Sequence, residues 1–133
     1  MRSLNYKLRL FLFLSICLLP LHGYAETIKL KDKSEIVGTW ILEAVAPSIK
    51  KTRIKENRVW EFRDDGIIAI TGYNRKMGAN SSQNVQYQIK NGNILTPQVG
   101  RPGKYLTYRV YEKSDTQMIL KGGIEGFYFF KRK

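Results

Sequence analysis

The sequence predicts an all-β protein of eight antiparallel strands closed into an up-and-down barrel. Three observations predict it. Segments of alternating, β-branched and aromatic character recur at short, regular spacing over residues 36–132. Asp64-Asp65-Gly66, Asn91-Gly92-Asn93 and Ser114-Asp115 join several of them through residues that accept turn geometry. No stretch carries capped helical periodicity, apart from a turn expected within residues 27–34. Consecutive antiparallel strands leave two edges, and closing the sheet removes them. A two-sheet sandwich is the competing arrangement.

The first strand, 36–46, opens on Gly38-Thr39-Trp40. The second, 58–63, sets Trp60 and Phe62 against Glu61 and Arg63, and the third spans 67–73. The fourth, 84–90, alternates Val85, Tyr87 and Ile89 with Gln86, Gln88 and Lys90. The fifth, 93–98, is weakened by Pro97, which has no N–H for a ladder. The sixth, 105–112, places Leu106, Tyr108 and Val110 opposite Thr107 and Arg109. The seventh, 116–121, carries Met118 and Leu120 on one face, and the last runs over 126–132.

Ahead of these strands lies an export signal, residues 1–25. Arg2, Lys7 and Arg9 form a positive head, residues 10–19 an apolar run, and Gly23-Tyr24-Ala25 a small-residue cleavage site. The run is too short to cross a bilayer, which takes about 20 residues, so no transmembrane segment is expected after cleavage. Ile16, large and branched, stands where a lipidated Cys17 would need a small residue. The expected product is a single domain over 26–133, exported to the periplasm or secreted. Removing 25 of the 133 residues leaves 108, enough for one core. The net charge falls from +12 to +9, because the signal holds three cations and no acids.

Cleavage also removes the only cysteine, Cys17, and the only histidine, His22. Disulfides, thiolate nucleophiles, Cys/His metal sites and histidine bases go with them. Asp64 and Asp65, with Glu61 close by, read as turn formers, and no Gly-rich phosphate loop stands between a strand and a helix. The expectation is a protein without catalytic residues, metal or cofactor. Tyr105 and Tyr111 share an outer face with Arg109, a stripe that could stack bases. Cross-strand aromatic pairing is the ordinary and favoured reading, and export disfavours a nucleic-acid partner.

Gly38-Thr39-Trp40 on the first strand resembles the G-x-W signature of lipocalins. Trp60-Glu61-Phe62 running into Asp64-Asp65-Gly66, and the terminal Tyr128-Phe129-Phe130-Lys131-Arg132, are similar to compact bacterial lipocalin-like domains. The resemblance covers residues 35–133. It implies that Trp40 plugs the closed barrel end and that a late basic residue, Arg132 or alternatively Lys131, packs across its ring. The chain is short for a lipocalin and has no helix after the barrel.

In an up-and-down barrel, alternate connections share a rim. The segments 47–57, 74–83, 99–104 and 122–125 gather on one end with ten cations, counting Arg58 and Lys121, against Glu56 and Glu125. The opposite turns are close to neutral, though the basic tail, residues 131–133, ends there. A cationic mouth attracts anions over long range, most at low salt, and polar loops of a basic protein carry Lys and Arg as solvated surface in any case. The expected ligand is a small hydrophobic or anionic amphiphilic molecule. Its tail would lie among Phe62, Ile68, Ile70, Tyr87, Leu106, Tyr108 and Met118. Its head would meet Lys51, Arg53, Arg58 and Arg75. The alternative is a protein-interaction or inhibitor module whose cationic loops meet an acidic protein or an envelope polymer.

Overall fold

In the computed structural model of the protein, residues 28–133 are described. The expected signal segment, its cleavage point, Cys17 and His22 lie outside them. Nine strands follow a single 3-10 turn at Lys33–Glu35. They are β1 Gly38–Ala46, β2 Ile54–Phe62, β3 Ile67–Asn74, β4 Ala79–Gln86, β5 Gln88–Lys90, β6 Asn93–Pro97, β7 Tyr105–Lys113, β8 Gln117–Gly122 and β9 Gly126–Arg132. All belong to one antiparallel sheet in the order β4-β3-β2-β1-β9-β8-β7-β6-β5. Neighbours in sequence are neighbours in space, and the two chain-end strands β1 and β9 pair at its centre, which is up-and-down topology.

The expected fourth strand is two. The extended run holds its alternation through Val85, Tyr87 and Ile89 but changes partner at Tyr87: β4 pairs with β3, and β5 pairs with β6. Tyr87 N–H donates to Gly66 O at 2.9 Å, and its hydroxyl donates to Arg63 O at 2.6 Å, so the crossing point is anchored to the β2–β3 turn. One piece of chain thus supplies both edges and joins the curled sheet at its lower end. Above the kink no ladder links β4 to β6, and a slot remains between Gln83 and Val85 on one side and Thr96 and Pro97 on the other.

The lower end is closed. Trp40 is fully buried, its indole N–H donating to Ile36 O at 2.9 Å. The Arg132 guanidinium carbon lies 4.2 Å from the centre of the Trp40 rings, its Nε donating to Asp115 O at 2.8 Å. Gly38 has φ +133°, and a Cβ there would sit 2.8 Å from Arg132 Nη1. The glycine two residues before the tryptophan therefore leaves room for the arginine that covers it. Lys131 points outward. Residues 28–37 cross beneath: Leu30 N–H donates to Gly92 O, Lys33 Nζ donates to Asp64 O, and Asp32 caps the 3-10 turn by accepting from Ser34 N–H.

Two strands begin earlier than their apolar pattern predicts. β2 starts at Ile54 and β4 at Ala79. In both, the added residues put polar groups at inward positions, namely Glu56 on β2 and Ser81 and Gln83 on β4. These positions lie in the upper half of the barrel, where the interior is not filled by apolar side chains. β1 carries a bulge at Glu43, so Leu42 and Val45 face inward, while Ala44 and Ala46 join Phe127 and Phe129 in a small cluster on the outer wall.

Candidate functional site

The barrel interior divides at a layer of aromatic rings. Trp60 is its hub, with Phe130 at 5.1 Å, Tyr128 at 5.9 Å and Tyr108 at 6.2 Å between ring centres. Such tilted and edge-on pairs are the favoured geometry of aromatic contacts. Below the layer, Phe62, Ile94 and Met118 fill the barrel together with Trp40. Above it opens a cavity of about 590 Å³. Trp60, Tyr108 and Tyr128 form its floor, and Leu42, Val45, Ile70, Val85 and Leu106 form its walls. Glu56, Asn74, Arg75, Lys76, Arg101, Ile124 and Glu125 stand towards its mouth, and Arg58 lies between Glu56 and Trp60 on β2.

The floor is held by hydroxyl chemistry. Tyr128 Oη accepts from the N–H groups of Ile124 and Glu125 at 3.2 and 3.1 Å, which pins the β8–β9 turn over the rings. Gly123 in that turn has φ +55°, and a side chain there would run into the Tyr108 ring and the Tyr128 hydroxyl. Burial raises the Tyr108 phenol well above its ordinary range, and the neighbouring Tyr128 adds to the shift. Burial also raises the Tyr87 phenol, with Asp64 and Asp65 contributing.

The expected site residues separate into three groups. Ile68, Ile70, Leu106, Tyr108, Arg58 and Arg75 line the cavity. Phe62, Tyr87 and Met118 do not, because they lie beneath the aromatic layer or at the kink, in the filled half. Lys51 and Arg53 do not line it either. Lys51 is exposed, and the Arg53 guanidinium lies 3.8 Å from the centre of the Phe129 ring on the outer wall, because the bulge in β1 turns that aromatic face outward. Periodicity missed Trp60, Tyr128, Leu42, Val45, Glu56 and Gln83 as lining. A signal for the polar ones exists: carrying the inward phase of Phe62 and Trp60 back along β2 reaches Arg58 and then Glu56.

Charges at the mouth are partly tied together. Arg75 Nε donates to Glu56 at 2.9 Å, its Nη2 reaches Glu125 at 3.5 Å, and Lys76 Nζ stands 2.7 Å from Glu125. This clamp joins the β3–β4 turn to β2 and to the β8–β9 turn. In contrast, Arg58 Nε and Nη2 and the Trp60 indole N–H are buried without a hydrogen-bond partner. Around the rim, Met77, Val99 and Ile124 are exposed apolar tips among lysines and arginines.

A curled antiparallel sheet, a tryptophan plug under an arginine and a half-hollow interior define a small lipocalin-like barrel. Comparison with solved structures agrees. A lipocalin-like protein from Bacteroides uniformis superposes with a TM-score of 0.55 at 18% identity, over 74% of this chain and 99% of that one. An uncharacterised protein from Bacteroides eggerthii superposes with a TM-score of 0.54 at 18% identity, over 73% of this chain and 98% of its own. At that identity the likeness is one of fold. No protein-family model matches the chain, and no curated protein does.

Proposed function

We propose that the protein is an exported, non-catalytic carrier that holds a small hydrophobic or amphiphilic molecule in the upper half of its barrel. The supporting observation is the cavity of about 590 Å³, roofless at the rim and apolar along its walls. Its volume falls within the range of about 300–1,000 Å³ usual for small-molecule sites. A barrel serving only as a rigid scaffold would gain stability by filling that space as it fills the lower half. The test is native mass spectrometry of the protein purified from its own host, with displacement of a fluorescent fatty-acid probe. A co-purifying small molecule and saturable displacement are expected. A bare protein that neither carries nor binds any apolar probe overturns the reading.

A second reading rests on the rim. Exposed Met77, Val99 and Ile124 share the rim with Lys76 and Arg101, a combination suited to an anionic envelope polymer or an acidic protein. Retention on an anionic polymer matrix that persists in variants with a blocked cavity would favour it.

A further inference from the structure

The inward face of β2 descends from the mouth as Glu56, Arg58, Trp60 and Phe62. Across the sheet, Arg58 stands opposite Leu42 on β1 and Gly72 on β3. One neighbour is apolar and the other has no side chain, so neither offers the guanidinium a side-chain acceptor. Along the strand, the Glu56 carboxylate is held by Arg75 Nε. The result is a guanidinium with two buried, unpartnered donors, Nε and Nη2. These two atoms form one edge of the planar fork. Their N–H bonds run parallel, spaced to meet both oxygens of one carboxylate. Trp60 Nε1, two residues deeper on the same face and 5% exposed at the residue level, is a third buried donor without an acceptor.

Buried donors left unpaired are costly, and a charged one more so. Both residues line the cavity, and the three donors lie just behind its surface. The two acids that face the same space are already engaged: Glu56 with Arg75, and Glu125 with Arg75 and Lys76. That leaves Arg58 as a partly buried cation of the wall with no acid paired to it. One such cation suits a monoanion, and a flat pair of donors suits a carboxylate.

We propose that the cavity takes an aliphatic carboxylic acid with its carboxylate inside the barrel, bidentate on Arg58 Nε and Nη2 and within reach of Trp60 Nε1. The hydrocarbon then runs along Leu42, Ile70, Val85 and Leu106 towards the mouth and the slot between β4 and β6. The rim cations steer the anion inward and do not hold it. This proposal rests on the carrier reading and adds ligand class and orientation to it.

The experiment titrates the protein with dodecanoate, methyl dodecanoate and dodecanol, reading indole emission. Trp60 reports on the cavity, while Trp40 is sealed under Arg132. Dodecanoate is expected to bind about ten- to a hundredfold more tightly than the ester or the alcohol, as for hydrogen bonds to a charged group. Arg58→Gln is expected to erase that preference while the ester still binds. Arg58→Lys restores only part of it, because a point charge lacks the fork. Equal binding of acid and ester overturns the proposal with no variant needed. So does a preference that survives Arg58→Gln and disappears in a Lys50→Gln, Lys51→Gln rim variant. If none of the three compounds binds protein that circular dichroism shows to be folded, the carrier reading fails, and the orientation falls with it. Binding of ester and alcohol without acid preference leaves the carrier standing and removes the carboxylate.

Discussion

Tyr108 shows how far a single residue's surroundings reach. Its phenol sits in the cavity floor against Tyr128, and burial makes its ionised form unfavourable, so the folded state keeps the proton at a pH where the unfolded chain releases it. Stability from this group is therefore complete below the ordinary tyrosine range, near pH 10, and declines above it. We expect the unfolding free energy between pH 10 and 11 to fall by up to about 1.4 kcal/mol more in the native protein than in Tyr108→Phe, measured by urea denaturation. A parallel decline in both would assign the effect to other groups. At the closed end, Gly38→Ala is expected to cost about 1–3 kcal/mol, because φ +133° strains any residue with a Cβ, and the new atom meets Arg132. The checks are thermal melting and loss of the Trp40 near-ultraviolet dichroism.

Among the elements, the clamp at the mouth makes the clearest prediction. The Glu56 side chain is only 8% exposed, so its bridge to Arg75 differs from the surface pairs that contribute little. Arg75→Gln strands a buried carboxylate and frees the β3–β4 turn from the β8–β9 turn. A loss of about 1–3 kcal/mol is expected, with faster amide exchange in residues 74–79 and 122–126. Glu125→Gln, which leaves the Glu56 bridge intact, should cost less than half as much. The β4–β5 run shows what a strand's pattern leaves open. Val85, Tyr87 and Ile89 correctly predict a continuous inward face. Alternation records the face a side chain takes and carries nothing about which strand lies beside it, so the change of partner at Tyr87 was invisible. The upper parts of β2 and β4 were missed for a related reason. Apolar alternation marks a strand only where its inward face is packed, and Glu56, Ser81 and Gln83 stand on the inward face of the upper half.

On the scale of the molecule, the barrel has a filled and a hollow half, and the carrier proposal assigns stability to the first and binding to the second. Met118 is wholly buried in the lower half, while Leu106 is half-buried on the cavity wall. Met118→Ala is expected to cost about 2–5 kcal/mol, and Leu106→Ala less than about 1.5 kcal/mol. Probe affinity should respond in the opposite order, changing for Leu106→Ala and not for Met118→Ala in protein that remains folded. Equal effects of the two variants on binding would mean that the interior acts as one undivided core.

The order of strands and their antiparallel sense were legible in the linear chain, and the plug of Trp40 under Arg132 was what the resemblance to lipocalins implied. Strand order and sense follow from local rules: turn residues, side-chain period and spacing along the backbone. Where the barrel is solid and where it is empty was not legible. That depends on the summed volume of side chains arriving from every strand at one height, and on which edges meet. The same holds for the isolation of Arg58, which comes from Leu42 and Gly72 standing on either side of it and from Arg75 reaching Glu56 first. A sequence records none of these neighbours, because they are far apart along the chain and meet only when the sheet curls.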